Sequence, residues 1–137
     1  MGVSLEARER ELNELIVGRK HSEAFERFYA EECEMRENTA PPTRGKSANR
    51  EREKSFFATL KEFHSIELKA SAVGDGVSLS EWRNEMTLEG VGRVVTEQVA
   101  VRRWKDGMVV GERFYYKPGW PTEEEQNAKA QRRQVAK

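Results

Sequence analysis

The most informative segment of this sequence reads VVTEQVAVRRWKDGMVVGERFYY, from residue 94 to residue 116. Two runs rich in β-branched and aromatic residues flank Asp106-Gly107, a dipeptide that tolerates the positive φ angles of a tight hairpin turn. The segment therefore predicts two antiparallel strands, at residues 94–104 and 108–116, with Lys105 paired to Met108.

Counting outward from this turn places each side chain on one face, because side chains alternate along a strand. The count pairs Val101 with Glu112 and sets Arg103 diagonal to Glu112. The predicted inner face carries Val99, Val101, Met108, Val110, Phe114 and Tyr116, interrupted by Glu97, Arg103 and Glu112. Charged side chains on a face that should be buried indicate a polar site, since burial of an unpaired charge is costly.

The composition favours one soluble domain. Among the 137 residues, 24 Lys and Arg balance 24 Asp and Glu, which argues against a nucleic-acid partner or an anionic membrane. The single Cys33 fits a reducing compartment, and no apolar run is long enough to span a membrane. We expect a cytoplasmic protein.

The remaining chain predicts three helices followed by a β-meander. The helices are residues 5–17, a short helix capped by Ser22, and a third helix that Ser47 caps and that ends near residue 62. A short strand at residues 33–37 separates the second helix from the third. From Ser65 the apolar period changes to two, which predicts one strand from that residue and another at residues 77–88.

A four-residue loop, residues 89–92, joins the strand at residues 77–88 to the final hairpin. This loop length pairs Met86 with Val95, Asn84 with Glu97 and Trp82 with Val99. Residues 1–118 form the predicted domain, and residues 119–137 form a charged tail. Two interpretations of the tail stay open, a polar helix from residue 123 to residue 135 and a frayed segment.

Three sequence features resemble the SnoaL-like proteins of the nuclear transport factor 2-like superfamily. They are FYAEEC at residues 28–33, the loop ending in Gly45, and WKDGMVVGERFYYKP at residues 104–118. The resemblance covers residues 4–118. It implies an α+β cone, in which a curved antiparallel sheet, a four-strand meander plus one short strand, wraps around three helices and opens to a pocket. It also implies a homodimer through the outer face of the sheet.

The ketosteroid isomerases of this superfamily use a carboxylate base and two oxyanion donors. In a gapless alignment the base position falls on Glu37. The donor positions fall on Leu12 or Asn13 and on Ala100 or Val101, none of which is the tyrosine or aspartic acid of that mechanism. We therefore do not expect steroid isomerisation by that route.

Two interpretations of the inner face remain open. In the first, Glu112 and Arg103 form a structural ion pair. In the second, Glu37 or Glu112 transfers a proton, with Tyr116, Asn84 or Tyr29 as hydrogen-bond donor. The predicted ligand-binding residues are Tyr29, Trp82, Asn84, Glu97, Arg103, Phe114 and Tyr116, and Trp82 is either a core residue or part of the pocket wall.

The sequence predicts no metal site and no cofactor, since two histidines and one cysteine show no metal-ligand spacing. The leading hypothesis is a small-molecule-binding protein. It could be a cofactor-independent isomerase, cyclase or dehydratase that acts on a small apolar carbonyl or hydroxyl compound. The alternatives are a non-catalytic ligand-binding or dimerisation module and an interaction adaptor that uses the tail.

Overall fold

The computed structural model describes residues 3–117 and contains three helices and six strands. In chain order these are α1 (Leu5–Val17), α2 (His21–Phe28), β1 (Tyr29–Glu37), β2 (Thr43–Arg44), α3 (Lys46–Thr59), β3 (Leu60–Gly74), β4 (Val77–Leu88), β5 (Gly92–Lys105) and β6 (Met108–Tyr116). The predicted tail helix at residues 123–135 lies outside the described residues. Within residues 3–117, none of the helices is both long enough and apolar enough to cross a bilayer.

The first helix has the predicted limits, but the predicted caps of the other two are wrong. Ser4 caps α1 by accepting a hydrogen bond from the Ala7 amide at 3.2 Å. The second helix already begins at His21, so Ser22 lies inside it. The third helix begins at Lys46 after Gly45, whose φ of 91° suits glycine and makes a serine cap unnecessary.

The third helix also ends earlier than predicted, at Thr59 rather than near residue 62. Leu60 is already extended and pairs with Leu88 of β4. The apolar spacing of Phe56, Leu60 and Phe63 looks helical, yet it spans the end of a helix and the start of a strand. These side chains pack on a cluster of Met86, Leu88 and Val94, so tertiary packing explains the pattern.

The predicted α+β cone is confirmed, with one more strand than expected. The strands form one sheet in the order β2-β1-β6-β5-β4-β3, in which β1 runs parallel to β6 and all other pairs are antiparallel. The extra strand is β2, which lies in the connection between β1 and α3, directly after Pro41 and Pro42. The predicted strand at residues 33–37 begins earlier, at Tyr29, because its first residues already join the sheet.

The final hairpin has the predicted turn but a different register beyond it. Asp106 and Gly107 have φ angles of 51° and 77°, and Lys105 pairs with Met108. A β-bulge then leaves Val110 without a partner, since Trp104 pairs with Val109 while Arg103 pairs with Gly111. Arg102 therefore lies opposite Glu112, where the prediction places Val101, and forms the ion pair with Glu112 that the prediction assigns to Arg103. Both the predicted strand pair and the predicted ion pair are wrong.

The turn between β4 and β5 is one residue shorter than predicted. Leu88 pairs with Gly92, which leaves residues 89–91 as the turn and pairs Asn84 with Thr96. The shift reverses the faces of β5. Its buried face carries Val94, Thr96, Ala100 and Arg102, whereas Glu97, Val99, Val101 and Arg103 lie on the opposite face. On β6, Val109 takes the inner place predicted for Met108 and Val110.

Arg102 lies at the centre of a buried polar network that joins α1 to the sheet. Its Nε donates to Glu112 Oε2 at 2.6 Å, and its Nη1 donates to Glu9 Oε1 at 2.9 Å and to Asn13 Oδ1 at 2.8 Å. Burial opposes the charge of Arg102, but Tyr29, Glu112 and Glu9 outweigh this effect and raise its pKa. The guanidinium therefore stays charged, and its partners offset the cost of burying it.

Two further hydroxyl groups complete the network. The Tyr29 hydroxyl donates to Glu112 Oε1 at 2.7 Å, and the Ser78 hydroxyl donates to Glu9 Oε2 at 2.7 Å. Burial, followed by the charge of Glu112, raises the pKa of Tyr29 well above its usual value. The phenol therefore keeps its proton and acts as a donor. The network links α1, β1, β4, β5 and β6.

Adjacent arginines on opposite faces allow a test of this register. Arg102→Gln leaves Glu9 and Glu112 buried without their cation, so we expect a loss of about 3–5 kcal/mol in the free energy of unfolding. Arg103→Gln should change it by less than about 0.5 kcal/mol, because this side chain is exposed. Urea unfolding of both variants measures the difference. Equal effects would contradict the register of β5.

Candidate functional site

A cavity of about 350 Å³ lies between the inner face of the sheet and helices α2 and α3. Aromatic side chains form much of its wall, namely Phe25, Tyr29, Phe56, Phe57, Phe63, Trp82 and Phe114. These side chains come from both helices and from four strands, so the complete fold is needed to enclose the space. A cavity of this size falls within the range of small-molecule sites.

The polar network closes one side of the cavity. Arg102 and Glu112 both line it, and each is almost completely buried. Both oxygens of Glu112 accept a hydrogen bond, one from Tyr29 and the other from Arg102. A carboxylate held in this way is better placed to orient its neighbours than to exchange a proton with a ligand.

Glu53 of α3 is the cavity carboxylate with the fewest neighbours to stabilise its charge. It lines the cavity, and among residues 3–117 it makes no hydrogen bond or ion pair. Burial, followed by the charge of Glu112, raises its pKa to about 7, while Arg52 acts in the opposite direction. Glu53 is therefore half protonated near neutral pH and can either give or accept a proton.

Asn84 adds an unsatisfied amide to the same wall. Its Oδ1 is buried and has no hydrogen-bond partner within the described part of the chain. A buried amide oxygen without a partner costs free energy, and a bound ligand or water could satisfy it. Since the two amide atoms can exchange places, Asn84 can present a donor or an acceptor to a ligand.

His21 contributes a largely neutral imidazole at the start of α2. Its ring stacks on Phe63 at 5.2 Å between centroids and lies 5.3 Å from the ring of Phe57. Burial lowers its pKa, and a backbone hydrogen bond at Arg19 offsets part of this effect. His21 therefore extends the aromatic wall without adding much positive charge at neutral pH.

Six of the predicted site residues lie around the cavity: Tyr29, Glu37, Trp82, Asn84, Glu112 and Phe114. Trp82 is both a core residue and part of the wall, since it is 3% exposed and donates to the Ser80 hydroxyl at 2.7 Å. Whether these residues bind or transform a ligand remains a prediction.

Glu37 and Tyr116 lie together near the cavity. Glu37 is half exposed and lies 3.8 Å from Arg52 Nη1. Burial, followed by the charge of Glu37 and a hydrogen bond with it, raises the pKa of Tyr116 to about 12. Tyr116 therefore contacts the predicted base, although it is not one of the residues that line the cavity.

The sequence predicts that Glu97 and Arg103 bind the ligand, but both lie on the outer face of the sheet. The side chain of Glu97 is 71% exposed and lies 3.8 Å from Arg83 Nε. The physical reason is the register of β5, which the short turn at residues 89–91 and the bulge at Val110 displace by one residue relative to the prediction. Thr96 and Gln98 of β5 line the cavity instead.

The sequence interpretation missed Glu9, Asn13, Glu53 and Arg102. One signal was available, since Glu9, Leu12, Asn13 and Ile16 recur at helical spacing and two of these four are polar. Polar residues in an apolar stripe indicate buried partners. Glu53 carries a similar signal, because it lies three and four positions before Phe56 and Phe57 and therefore shares their helical face. The charged residues on either side of it in α3 obscure this pattern.

The described residues contain no group of three or more His, Cys, Asp or Glu side chains arranged to hold a metal ion. The carboxylates that line the cavity are Glu37, Glu53 and Glu112, and aromatic and amide side chains lie among them. These side chains can supply hydrogen bonds, stabilise charge and transfer protons.

A family model for the SnoaL-like domain matches residues 5–116 of this chain. No curated protein matches the chain significantly. A protein from Mesorhizobium loti, provisionally described as a SnoaL-like polyketide cyclase, is 21% identical with a TM-score of 0.77, covering 83% of this chain and 100% of that one.

Two other solved structures have the same fold. An NTF2-like protein of unknown function from Burkholderia pseudomallei is 11% identical, with a TM-score of 0.71, and the match covers 82% of this chain and 89% of that one. A protein from Catenulispora acidiphila with a ketosteroid isomerase-like fold, solved in complex with trimethylamine, is 9% identical, with a TM-score of 0.61 and coverage of 69% and 74%.

The raised pKa of Glu53 predicts a pH-dependent stability. Its value of about 7 in the folded protein exceeds the 4.5 of an unperturbed glutamate. Between these two pH values the folded state holds a proton that the unfolded chain has released, so stability falls as the pH rises from 4.5 to 7.

Glu53→Gln has no such proton to lose, so its free energy of unfolding should not fall in this pH range. Relative to the parent, we expect this free energy to increase by about 1–3 kcal/mol as the pH rises from 5 to 8. Urea unfolding at both pH values measures the gain. Glu97→Gln, a change at an exposed carboxylate, is the control and should follow the parent. If Glu53→Gln also follows the parent, Glu53 is not the buried titrating group.

Proposed function

This chain belongs to the SnoaL-like family, and we propose that it binds a small, largely apolar molecule in the cavity between the sheet and helices α2 and α3. The observation that carries the proposal is the cavity itself. Its wall is mainly aromatic, and it contains two polar groups to which residues 3–117 provide no hydrogen bond or ion pair, Glu53 and the Asn84 amide oxygen.

The energetics of the wall support a ligand-binding role. An empty apolar cavity lowers stability in proportion to its volume, and a buried amide oxygen without a partner adds a further cost. A bound molecule that fills the space and donates a hydrogen bond to Asn84 reduces both costs. Such a molecule has an apolar body and one or two polar atoms.

A second candidate function is cofactor-independent proton transfer, such as isomerisation, cyclisation or dehydration of a carbonyl or hydroxyl compound. Glu53 favours it, because a carboxyl group that is half protonated at neutral pH is well matched to general acid–base catalysis. Asn84 could donate a hydrogen bond to the developing oxyanion. Glu37 remains an alternative base, close to the Tyr116 hydroxyl.

Glu112 is better explained by the non-catalytic alternative, as part of a structural ion pair with Arg102 rather than with Arg103. Both of its oxygens are engaged, and it is 4% exposed. Its role in this proposal is to hold Tyr29 and Arg102 in place on the cavity wall. Its negative charge also helps to keep a proton on Glu53.

The outer face of the sheet suits a homodimer. Leu79 and Tyr115 are each 44% exposed, and they neighbour Val101 and Val99 through the pairing of β4, β5 and β6. An exposed group of apolar side chains on a sheet face is a common protein–protein contact. Because these side chains point away from the cavity, dimer contact and ligand binding use opposite faces.

Binding can be tested with 1-tetralone, a compact ketone, by following backbone amide shifts. We expect the shifts to concentrate at cavity residues. Thr96→Leu, which enlarges a buried cavity side chain, should weaken binding at least about tenfold. Val95→Leu is the matched control on the opposite face of β5. Equal affinities, or shifts confined to the outer face, would show that the ketone does not enter the cavity.

The same samples test proton transfer. In D2O, a general base exchanges the protons on the carbon next to the ketone carbonyl, and mass spectrometry counts the deuterium. If Glu53 is the base, Glu53→Gln should slow the exchange about a hundredfold or more, whereas Glu37→Gln should not. The opposite result would assign the base to Glu37. Exchange no faster than in buffer alone would leave ligand binding as the function.

Leu79→Lys tests the dimer, because a charge within the apolar group disfavours self-association. We expect sedimentation equilibrium to give a dimer for the parent and a monomer for the variant. Lys69→Glu, an exposed change on β3, is the control and should not alter the mass. A monomeric parent at all concentrations would contradict this part of the proposal.

A further inference from the structure

The charges around the cavity are not balanced. Among residues 3–117, two cations line it, Arg52 and Arg102, and each has carboxylate neighbours. Arg52 lies 3.8 Å from Glu37, while Arg102 contacts Glu112 and also Glu9 behind the wall. Glu53 is an additional carboxylate without an ion pair in the described residues. The lining side chains Arg52, Arg102, Glu37 and Glu112 balance formally, so an ionised Glu53 leaves the wall with one excess negative charge. Glu9, behind the wall, adds a second negative charge to the group.

The aromatic wall also attracts cations. The face of an aromatic ring has a negative electrostatic potential, and a cation within about 6 Å of the ring centre is stabilised. In residues 3–117, Arg or Lys groups lie over the rings of Phe25, Phe28 and Tyr115. Their charged groups do not cover the other aromatic rings of the cavity wall, such as Phe57, Phe63, Trp82 and Phe114.

From these two observations we infer that the cavity selects a small organic cation, a tertiary or quaternary ammonium compound, with the Glu53 carboxylate as its counter-ion. The inference rests on one part of the proposed function, namely that the ligand binds in this cavity. The alkyl groups of the ammonium contact the aromatic wall, and its charge faces Glu53. In a tertiary ammonium, the N–H group can also donate to the free Asn84 oxygen.

Other ligand charges fit the cavity less well. An anion would meet the excess negative charge, and a metal ion would need several oxygen or nitrogen ligands that the described side chains do not bring together. A primary ammonium requires up to three hydrogen-bond acceptors, whereas the wall is mainly aromatic. An alkylated ammonium has a dispersed charge and an apolar surface, which match an aromatic site that has one carboxylate.

Cation binding should be coupled to the protonation of Glu53. The charged and titratable groups around it are Arg52 on α3, His21 and Glu26 on α2, Tyr29 and Glu37 on β1, Arg102 on β5 and Glu112 on β6. Burial and Glu112 raise the pKa of Glu53 to about 7, and a bound cation lowers it by stabilising the carboxylate. Below pH 7 a cation therefore displaces a proton, so its affinity rises with pH and levels off above neutrality.

A pair of compounds with the same shape tests the inference. Choline and 3,3-dimethylbutan-1-ol differ in one atom, because a carbon replaces the quaternary nitrogen, so only choline is charged. We expect titration calorimetry of the parent to show choline binding about tenfold or more tighter at pH 8 than at pH 5.5. At pH 8, choline should bind more tightly than its neutral analogue.

Glu53→Gln should remove both the preference for choline and its pH dependence, while Glu97→Gln, on the outer face, should retain them. Circular dichroism verifies that both variants fold. A measurement on the parent alone provides a second test. At pH 6.5, choline titrations in two buffers of different ionisation enthalpy should reveal the release of a fraction of a proton for each choline bound.

The outcomes separate the inference from the proposed function. If 3,3-dimethylbutan-1-ol binds as tightly as choline at both pH values, or if choline does not bind while 1-tetralone does, the inference is wrong and the cavity remains a ligand site. If choline, its analogue and 1-tetralone all fail to bind, both proposals are wrong. Choline binding that is equal in Glu53→Gln and in the parent also overturns the inference.

Discussion

The rest of the structure depends on the Arg102 guanidinium, which is buried between Glu9 and Glu112. Desolvating one charged group costs several kcal/mol, so this arginine can occupy the interior only if carboxylates from two other elements reach it. One comes from α1 and the other from β6, and the hydroxyl groups of Tyr29 and Ser78 satisfy their remaining oxygens. The cluster therefore joins the first helix to the four strands β1, β4, β5 and β6, and it closes one side of the cavity.

The amino-acid sequence predicts the fold well because its strongest signals are local. Asp106-Gly107 requires a tight turn, the change to alternating apolar residues after the third helix marks the start of the meander, and the order of elements limits the architecture. These signals survive small errors in element boundaries. The third helix, for example, ends at Thr59 instead of near residue 62 without any change in topology.

The site is harder to predict because a shift of one residue in the strand pairing moves each side chain to the opposite face of the sheet. The bulge at Val110 and the turn at residues 89–91 each alter the pairing by one residue, which exchanges the two faces of β5. Arg102 and Thr96 thereby enter the interior, while Arg103 and Glu97 face outward. Tyr29 on β1, Trp82 on β4 and Phe114 on β6 lie at the cavity as expected. Neither irregularity changes the face of these residues, since Phe114 follows the bulge at Val110.

Glu112 and Glu53 show how different surroundings give two carboxylates at one cavity different roles. Glu112 receives a hydrogen bond on each oxygen, whereas Glu53 receives none from the described residues and has its pKa raised to about 7. The first stabilises the wall and the second remains available to a ligand. No local sequence pattern distinguishes them, because the difference arises from partners 10 and 83 positions away in the chain.

The unpaired Val110 also limits how this protein can evolve. Because one face of β5 lines the cavity and the other forms the outer surface, loss of a single residue from the bulge would change which side chains of the hairpin reach each face. A deletion of that kind would alter the lining of the cavity and the exposed surface in one step. Divergence in this hairpin should therefore proceed by substitution at constant length, while changes in length are confined to connections that do not set the register of β5.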